Sequence, residues 1–157
     1  MPKPAPRPSF DREKAISSLN TILEMELAGV VRYTHYSLMV FGHARIPIVS
    51  WLHKEAEESL AHAQEAGELL TSLGGHPSLK IGSLLETHRH DINAILGESL
   101  EHERKGLAQY RDLLALVQGR DVMLEEYARK MVCREEMHLS EVEKMLRRPG
   151  ELKPASA

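Results

Sequence analysis

A carboxylate and an imidazole interrupt an otherwise apolar helical stripe near the C-terminal end of this 157-residue chain. In steps of three and four, the stripe runs Leu124, Ala128, Met131, Glu135, His138, Val142 and Met145. The spacing Glu-x-x-His puts both side chains on one helix face, one turn apart. A charge buried without a partner is costly, so such a pair calls for a metal, a proton or a counter-charge. The motif is weak when taken alone, because glutamate is so frequent here that nine histidines give about one match by chance. Its weight depends on whether other stripes carry acids as well.

Three other stripes do. The first reads Leu19, Leu23, Glu26, Val30, Tyr33, Ser37 and Val40, and the second Ile48, Leu52, Glu55, Ser59, His62, Ala66, Leu69 and Leu73. The third reads Ile92, Leu96, Ser99, Glu103, Gly106, Tyr110, Leu113 and Val117. Each is apolar at its ends and polar in its middle. Inward-facing Glu26, His62, Glu103, Glu135 and His138, brought to one level, would repel as unpaired groups, and two divalent metals would neutralise them. Carboxylates and imidazoles suit iron in particular, and manganese or zinc also bind such ligands. Any one of these residues is equally consistent with a solvated helix face; the set in four seams is what points to a metal.

The elements that position them follow from the breaks between stripes. Residues 10–41 form one expected helix, with Ser9 as N-cap and Gly42 as its stop, roughly 48 Å long. The link to the next is too short to cross a bundle, so the helix over 47–73, with Pro47 in its first turn and Gly74-Gly75 at its end, returns antiparallel. Residues 74–90 then form a loop that can extend to about 56 Å, enough to travel back along a whole helix. Asp91 caps a helix over 91–118 and Asp121 one over 121–147, with Pro149-Gly150 beyond. Short, long and short connections predict an all-α, up-down-down-up four-helix bundle with one crossover. The domain is expected over 10–147, between an extended Pro-rich tail at 1–9 and a short tail at 148–157.

The segments Leu19-Asn20, Glu26-Leu27 and Tyr33, then His62-Ala63, Leu73-Gly74-Gly75 and Pro77, then Glu103 and Arg134-Glu135-Glu136-Met137-His138, resemble bacterioferritin over about residues 18–146. The resemblance implies a ferritin-like fold, oxidation of iron(II) by dioxygen or peroxide, and mineral storage inside a protein shell. It would have Glu26 and His62 hold one iron, Glu103 and His138 the other, and Glu135 bridge them, with Tyr33 the aromatic beside the centre. Catalysis would then rest on Glu135 and Tyr33. The chain departs from the family on its second helix. Ser59 stands where a second bridging carboxylate is expected, leaving Glu58 as a further candidate ligand and Glu55 as a nearby acid. Leu60 stands where the haem-ligating methionine is expected, so haem binding by this subunit is not expected. The C-terminal fifth helix is short or missing. The resemblance implies a homo-oligomer, or a hetero-oligomer in which this chain is a catalytically weak subunit beside a competent paralogue. A di-metal peroxidase or manganese catalase of the same fold is the remaining alternative.

Composition narrows the classes further. Twenty Lys and Arg against 23 Asp and Glu give a net charge of −3, with no basic stripe interleaved with aromatics, so nucleic acid has no evident landing surface. Cys133 is the only cysteine; it fits a reducing cytoplasm and is expected as a small buried hydrophobe. The N-terminus has no apolar core of a secretory signal, and no run is apolar enough to span a membrane. His35, His43, His53, His76 and His102 fall off the stripes, and His88 and His90 lie in the crossover; all seven are expected at the surface.

Overall fold

The computed structural model describes residues 9–84 and 86–152. They form α1 (Arg12–Met39), α2 (Arg45–Ser72), α3 (Ile92–Val117) and α4 (Val122–Leu146), with no strand among the described residues. The expected bundle is therefore present, and every helix end falls within two residues of its expected place. The proposed tails lie mostly outside the described residues, at 1–8 and 153–157.

Local chemistry sets the ends. Asp91 and Asp121 cap α3 and α4, their carboxylates accepting from the backbone N–H of Ala94 at 3.0 Å and of Leu124 at 2.9 Å. For α1 the expected cap was Ser9, and the structure corrects this to Asp11, which accepts from the Lys14 N–H at 3.0 Å. The extended backbone at Asp11 leaves Ser9 outside the first turn, while Phe10 packs against the core. At the end of α2, Gly74 turns at φ +79° and the Gly75 N–H donates to the Leu70 carbonyl at 3.0 Å, a left-handed closure that glycine adopts without strain.

The course of the crossover fixes the topology. It starts at the N-terminal end of α1, where Arg12 donates to the Leu73 carbonyl at 2.7 Å and Asn20 brackets it through His76 and Ser78. Gly82 N–H then donates to the Glu24 carbonyl at 2.7 Å, and Arg32 reaches Ser83. The loop finishes beside His35 and Tyr36, where α3 begins. Since α2 also begins at that end of α1, α2 and α3 run parallel. Among the described residues no helix is long and apolar enough to cross a membrane.

The core is apolar at both ends and polar between. Leu19, Ile22, Leu70, Leu113, Leu124 and Met131 fill one end, and Tyr33, Tyr36, Val40, Leu52 and Ile95 the other. Cys133 is exposed, contrary to expectation. Two residues from both Met131 and Glu135, it points about 200° away from the buried stripe of α4.

Candidate metal centre

The polar middle layer encloses a cavity of about 10 Å³ lined by Glu26, Glu55, Glu58, Ser59, His62, Glu103, Glu135 and His138. All four helices contribute. His62 Nδ1 lies 3.4 Å from a Glu26 oxygen and 3.5 Å from Glu135 Oε1, and its Nε2 lies 3.4 Å from the Arg134 guanidinium. His138 Nε2 lies 3.0 Å from Glu58 Oε2, and its Nδ1 is 3.9 Å from Glu55 Oε2. Three groups each bring one ligand atom per residue within 4.8 Å of the others: Glu26–His62–Glu135, Glu103–Glu135–His138 and Glu55–Glu58–His138. Glu135 belongs to the first two and His138 to the last two, so the groups share members rather than standing apart.

So many acids cannot all be ionised in a dry layer. Burial, and then the neighbouring Glu103, pushes the Glu135 carboxyl up to about 11. Burial, then Glu103 and Glu58, pushes Glu55 up to about 8. Protons therefore balance the layer in the metal-free chain, where cations would otherwise do so. Two phenols add neutral donors. Tyr33 donates to Glu103, and Tyr110 donates to Glu26 Oε1 at 2.6 Å. Burial first, and these carboxylates second, raise both phenols well above the ordinary value. One acceptor is left over: Glu135 Oε1 is shielded from solvent and has no hydrogen-bond partner among the described residues. An orphaned oxygen amid inward carboxylates and imidazoles is a donor set that fits divalent iron, manganese or zinc.

The structure brings Glu26, Glu58, His62, Glu103, Glu135 and His138 to this one cavity and sets Tyr33 at its edge against Glu103. Three features go beyond the sequence reading. Glu55 is buried at the cavity and not merely near it. Tyr110, a member of the α3 stripe, reaches across to Glu26 with its hydroxyl. His102, expected at the surface, is half-buried with its ring edge-on to Tyr33 at 6.4 Å, and burial lowers its pKa. It sits beside a close contact of α1 with α2. There, a Cβ on Gly29 would meet Ser59 Oγ at 2.7 Å and His102 Nε2 at 3.2 Å. Its signal was adjacency to Glu103 on the flank of the stripe. Leu60, at the position of the haem methionine in the resemblance, is exposed on the outer side of α2.

The sequence profile of the ferritin-like domain matches residues 16–149, and the chain belongs to that family. Its fold is shared with a ferritin-like diiron-carboxylate protein from Bacillus anthracis. That protein is 22% identical, with a TM-score of 0.80 over 89% of this chain and 100% of the other. A bacterioferritin-related protein from Bacteroides fragilis, described as a dodecameric thioferritin, is 24% identical (TM-score 0.78; 87% and 86% of the two chains). A Rhodobacter capsulatus bacterioferritin with a metal-free dinuclear site and haem iron is also 24% identical (TM-score 0.75; 88% and 86%). No curated protein matches the sequence.

Proposed function

We propose that this chain binds two divalent metal ions in the cavity of its bundle, that iron(II) is its substrate there, and that it oxidises and stores iron within a ferritin-type assembly. One observation carries the reading: four helices aim seven acids and imidazoles, with Ser59, at one cavity whose Glu135 Oε1 is shielded from solvent and accepts no hydrogen bond among the described residues. Glu26 and His62 hold one ion and Glu103 and His138 the other, with Glu135 between them. Glu55 and Glu58, both turned to His138, supply the negative charge that Ser59 does not. A pair of iron(II) ions supplies two electrons to dioxygen or peroxide. The protein's part is to release the carboxyl protons of Glu135 and Glu55 as cations enter, and to hold neutral phenols at Glu103 and Glu26. Tyr33, packed edge-on against Trp51 at 6.2 Å, keeps the Glu103 side of the cavity dry.

Assembly is supported by exposed apolar side chains on α1, α2 and the turn between them. Val31, Leu38, Phe41, Ile46 and Leu60 are between 42% and 84% exposed, more apolar surface than a lone bundle needs. The test is an anaerobic iron(II) titration of the purified chain, followed by admission of dioxygen or peroxide while ferric absorbance is recorded. Two ions bound per chain and oxidised together, with iron retained by an assembly of defined mass, is the expected result. Peroxide turnover without iron retention would favour the di-metal peroxidase reading, and no binding would overturn both.

A further inference from the structure

Outside the bundle cavity, the crossover and the outer face of α1 bring together two imidazoles and one carboxylate. His35 Nε2 lies 2.9 Å from Glu86 Oε2, and His90 Nε2 lies 3.5 Å from Glu86 Oε1. One ligand atom from each of the three residues lies within 4.8 Å of the other two. The rings of His35 and His90 are 5.8 Å apart and inclined at 66°, so they are not stacked. Both are only partly exposed, and both Nε2 atoms are shielded from solvent with no hydrogen-bond partner among the described residues. Two shielded ring nitrogens that face one carboxylate without hydrogen-bond geometry form an unsatisfied cluster.

We infer that His35, Glu86 and His90 form a second metal site, separate from the bundle cavity, that takes one zinc-class divalent ion and clamps the crossover to α1. A tetrahedral ion with ligand bonds of about 2.0–2.1 Å separates its ligands by roughly 3.3 Å; each imidazole lies near that spacing from one oxygen of the same carboxylate, His35 from Oε2 and His90 from Oε1. Two neutral imidazoles and one carboxylate are a zinc-type donor set with one position open. His88 is largely exposed at the rim and Glu86 partly so, which lets an ion enter and water complete the shell. The loop is built around the carboxylate. The His88 backbone takes φ +54°, a left-handed turn that is strained for a non-glycine residue, and its N–H donates to Glu86 Oε1 at 2.5 Å. Gly82 on Glu24, Arg32 on Ser83 and Thr87 on Glu98 already lay the segment on α1 and α3. An ion between residues 35 and 90 would close the remaining gap.

The test is zinc stoichiometry of the full-length chain after chelation, reloading with Zn²⁺ and desalting, for wild type, Glu135→Gln, and His35→Gln with His90→Gln. Wild type is expected to retain one Zn²⁺ per chain more than the double variant. Glu135→Gln, which disrupts the bundle cavity alone, should keep that equivalent. Loading with Co²⁺ in the Glu135→Gln background should give the intense visible bands of a low-coordinate site, absent when His35 and His90 are also replaced. Zn²⁺ should slow amide exchange in residues 82–90 of wild type and leave the double variant unchanged. Circular dichroism of the metal-free double variant, matching wild type, guards against misfolding. Equal zinc content in wild type and double variant, or equal exchange with and without Zn²⁺, would overturn the inference and leave the bundle-cavity reading untouched.

Discussion

Glu55 stands one helical turn before Ser59 on α2, and both side chains face the same cavity. By sequence position alone, Ser59 leaves the centre one carboxylate short. In three dimensions a carboxyl does face the cavity one turn earlier on the same helix, because residues four apart lie on one face. Glu55→Ala should therefore lower affinity for one of two Mn²⁺ ions at least tenfold, about 1.4 kcal/mol, in anaerobic calorimetry. Ser59→Glu added to Glu55→Ala should recover most of it. In the wild-type background, Ser59→Glu alone must fit into a cavity of about 10 Å³ and should cost roughly 1–3 kcal/mol of stability through overpacking. Full affinity in Glu55→Ala would show that Glu55 is a bystander.

The same acids give the metal-free chain a pH dependence with a definite sign. Glu55, raised from an ordinary 4.5 to about 8, favours the fold only while protonated. Its contribution is complete below pH 4.5 and is lost as pH rises to about 8; Glu135 extends the loss towards about 11. The melting temperature of the chelated protein should fall between pH 6 and pH 9, by something on the order of 5 °C. Saturating Mn²⁺ should flatten that slope, since cations replace the protons. A melting temperature independent of pH without metal would mean that these carboxyls are solvated and ionised.

The bundle was legible because its signals are local and repeated: four stripes, Asp91 and Asp121 as caps, and glycines at the breaks. The five residues Glu26, His62, Glu103, Glu135 and His138, which line the cavity of the candidate centre, were legible for the same reason, since helix periodicity places a face. What periodicity cannot give is the rotation of a side chain at the edge of its stripe or the path of a loop. His102 flanks the stripe by one position and turns in towards Gly29, where the missing Cβ leaves room for its ring. Tyr110 lies on the stripe, but its hydroxyl meets Glu26 only through the packing of α1 on α3. His35, Glu86 and His90 converge only because the crossover retraces α1, a contact between residues 51 and 55 apart in sequence.

Tyr110 offers a direct measure of one such contact. Its hydroxyl donates to Glu26 Oε1 at 2.6 Å in a buried layer, and a hydrogen bond to a charged acceptor is worth about 1.5–3 kcal/mol. Tyr110→Phe keeps the ring in its edge-on packing with Tyr127 and removes only the donor. Chemical denaturation of the metal-free protein should show a loss in that range, and the loss should shrink when Mn²⁺ is bound, because a cation then satisfies Glu26. An equal loss with and without metal would place Glu26 outside the metal's reach.

Glu135 should separate stability from function in opposite directions. Its carboxyl is held protonated by burial and by Glu103, and Oε1 accepts no hydrogen bond among the described residues, so near neutral pH the fold carries the cost of keeping that proton. Glu135→Gln makes the neutral state permanent at nearly the same volume. Its amide can donate towards the surrounding carboxylates, which are acceptors in excess. The metal-free variant should therefore be more stable than wild type at pH 8, by an amount on the order of a few kcal/mol, and the gain should vanish below pH 4.5, where both carry no charge. Metal binding should move the other way. Glu135 is shared by the Glu26–His62 and Glu103–His138 groups, so its loss should weaken both ions of the pair, whereas Glu26→Gln should weaken one. Thermal melts from pH 4 to pH 9 and a Mn²⁺ titration on the same samples measure both. A variant that loses stability at pH 8, or that still binds one ion with wild-type affinity, would show that Glu135 does not sit between two metals.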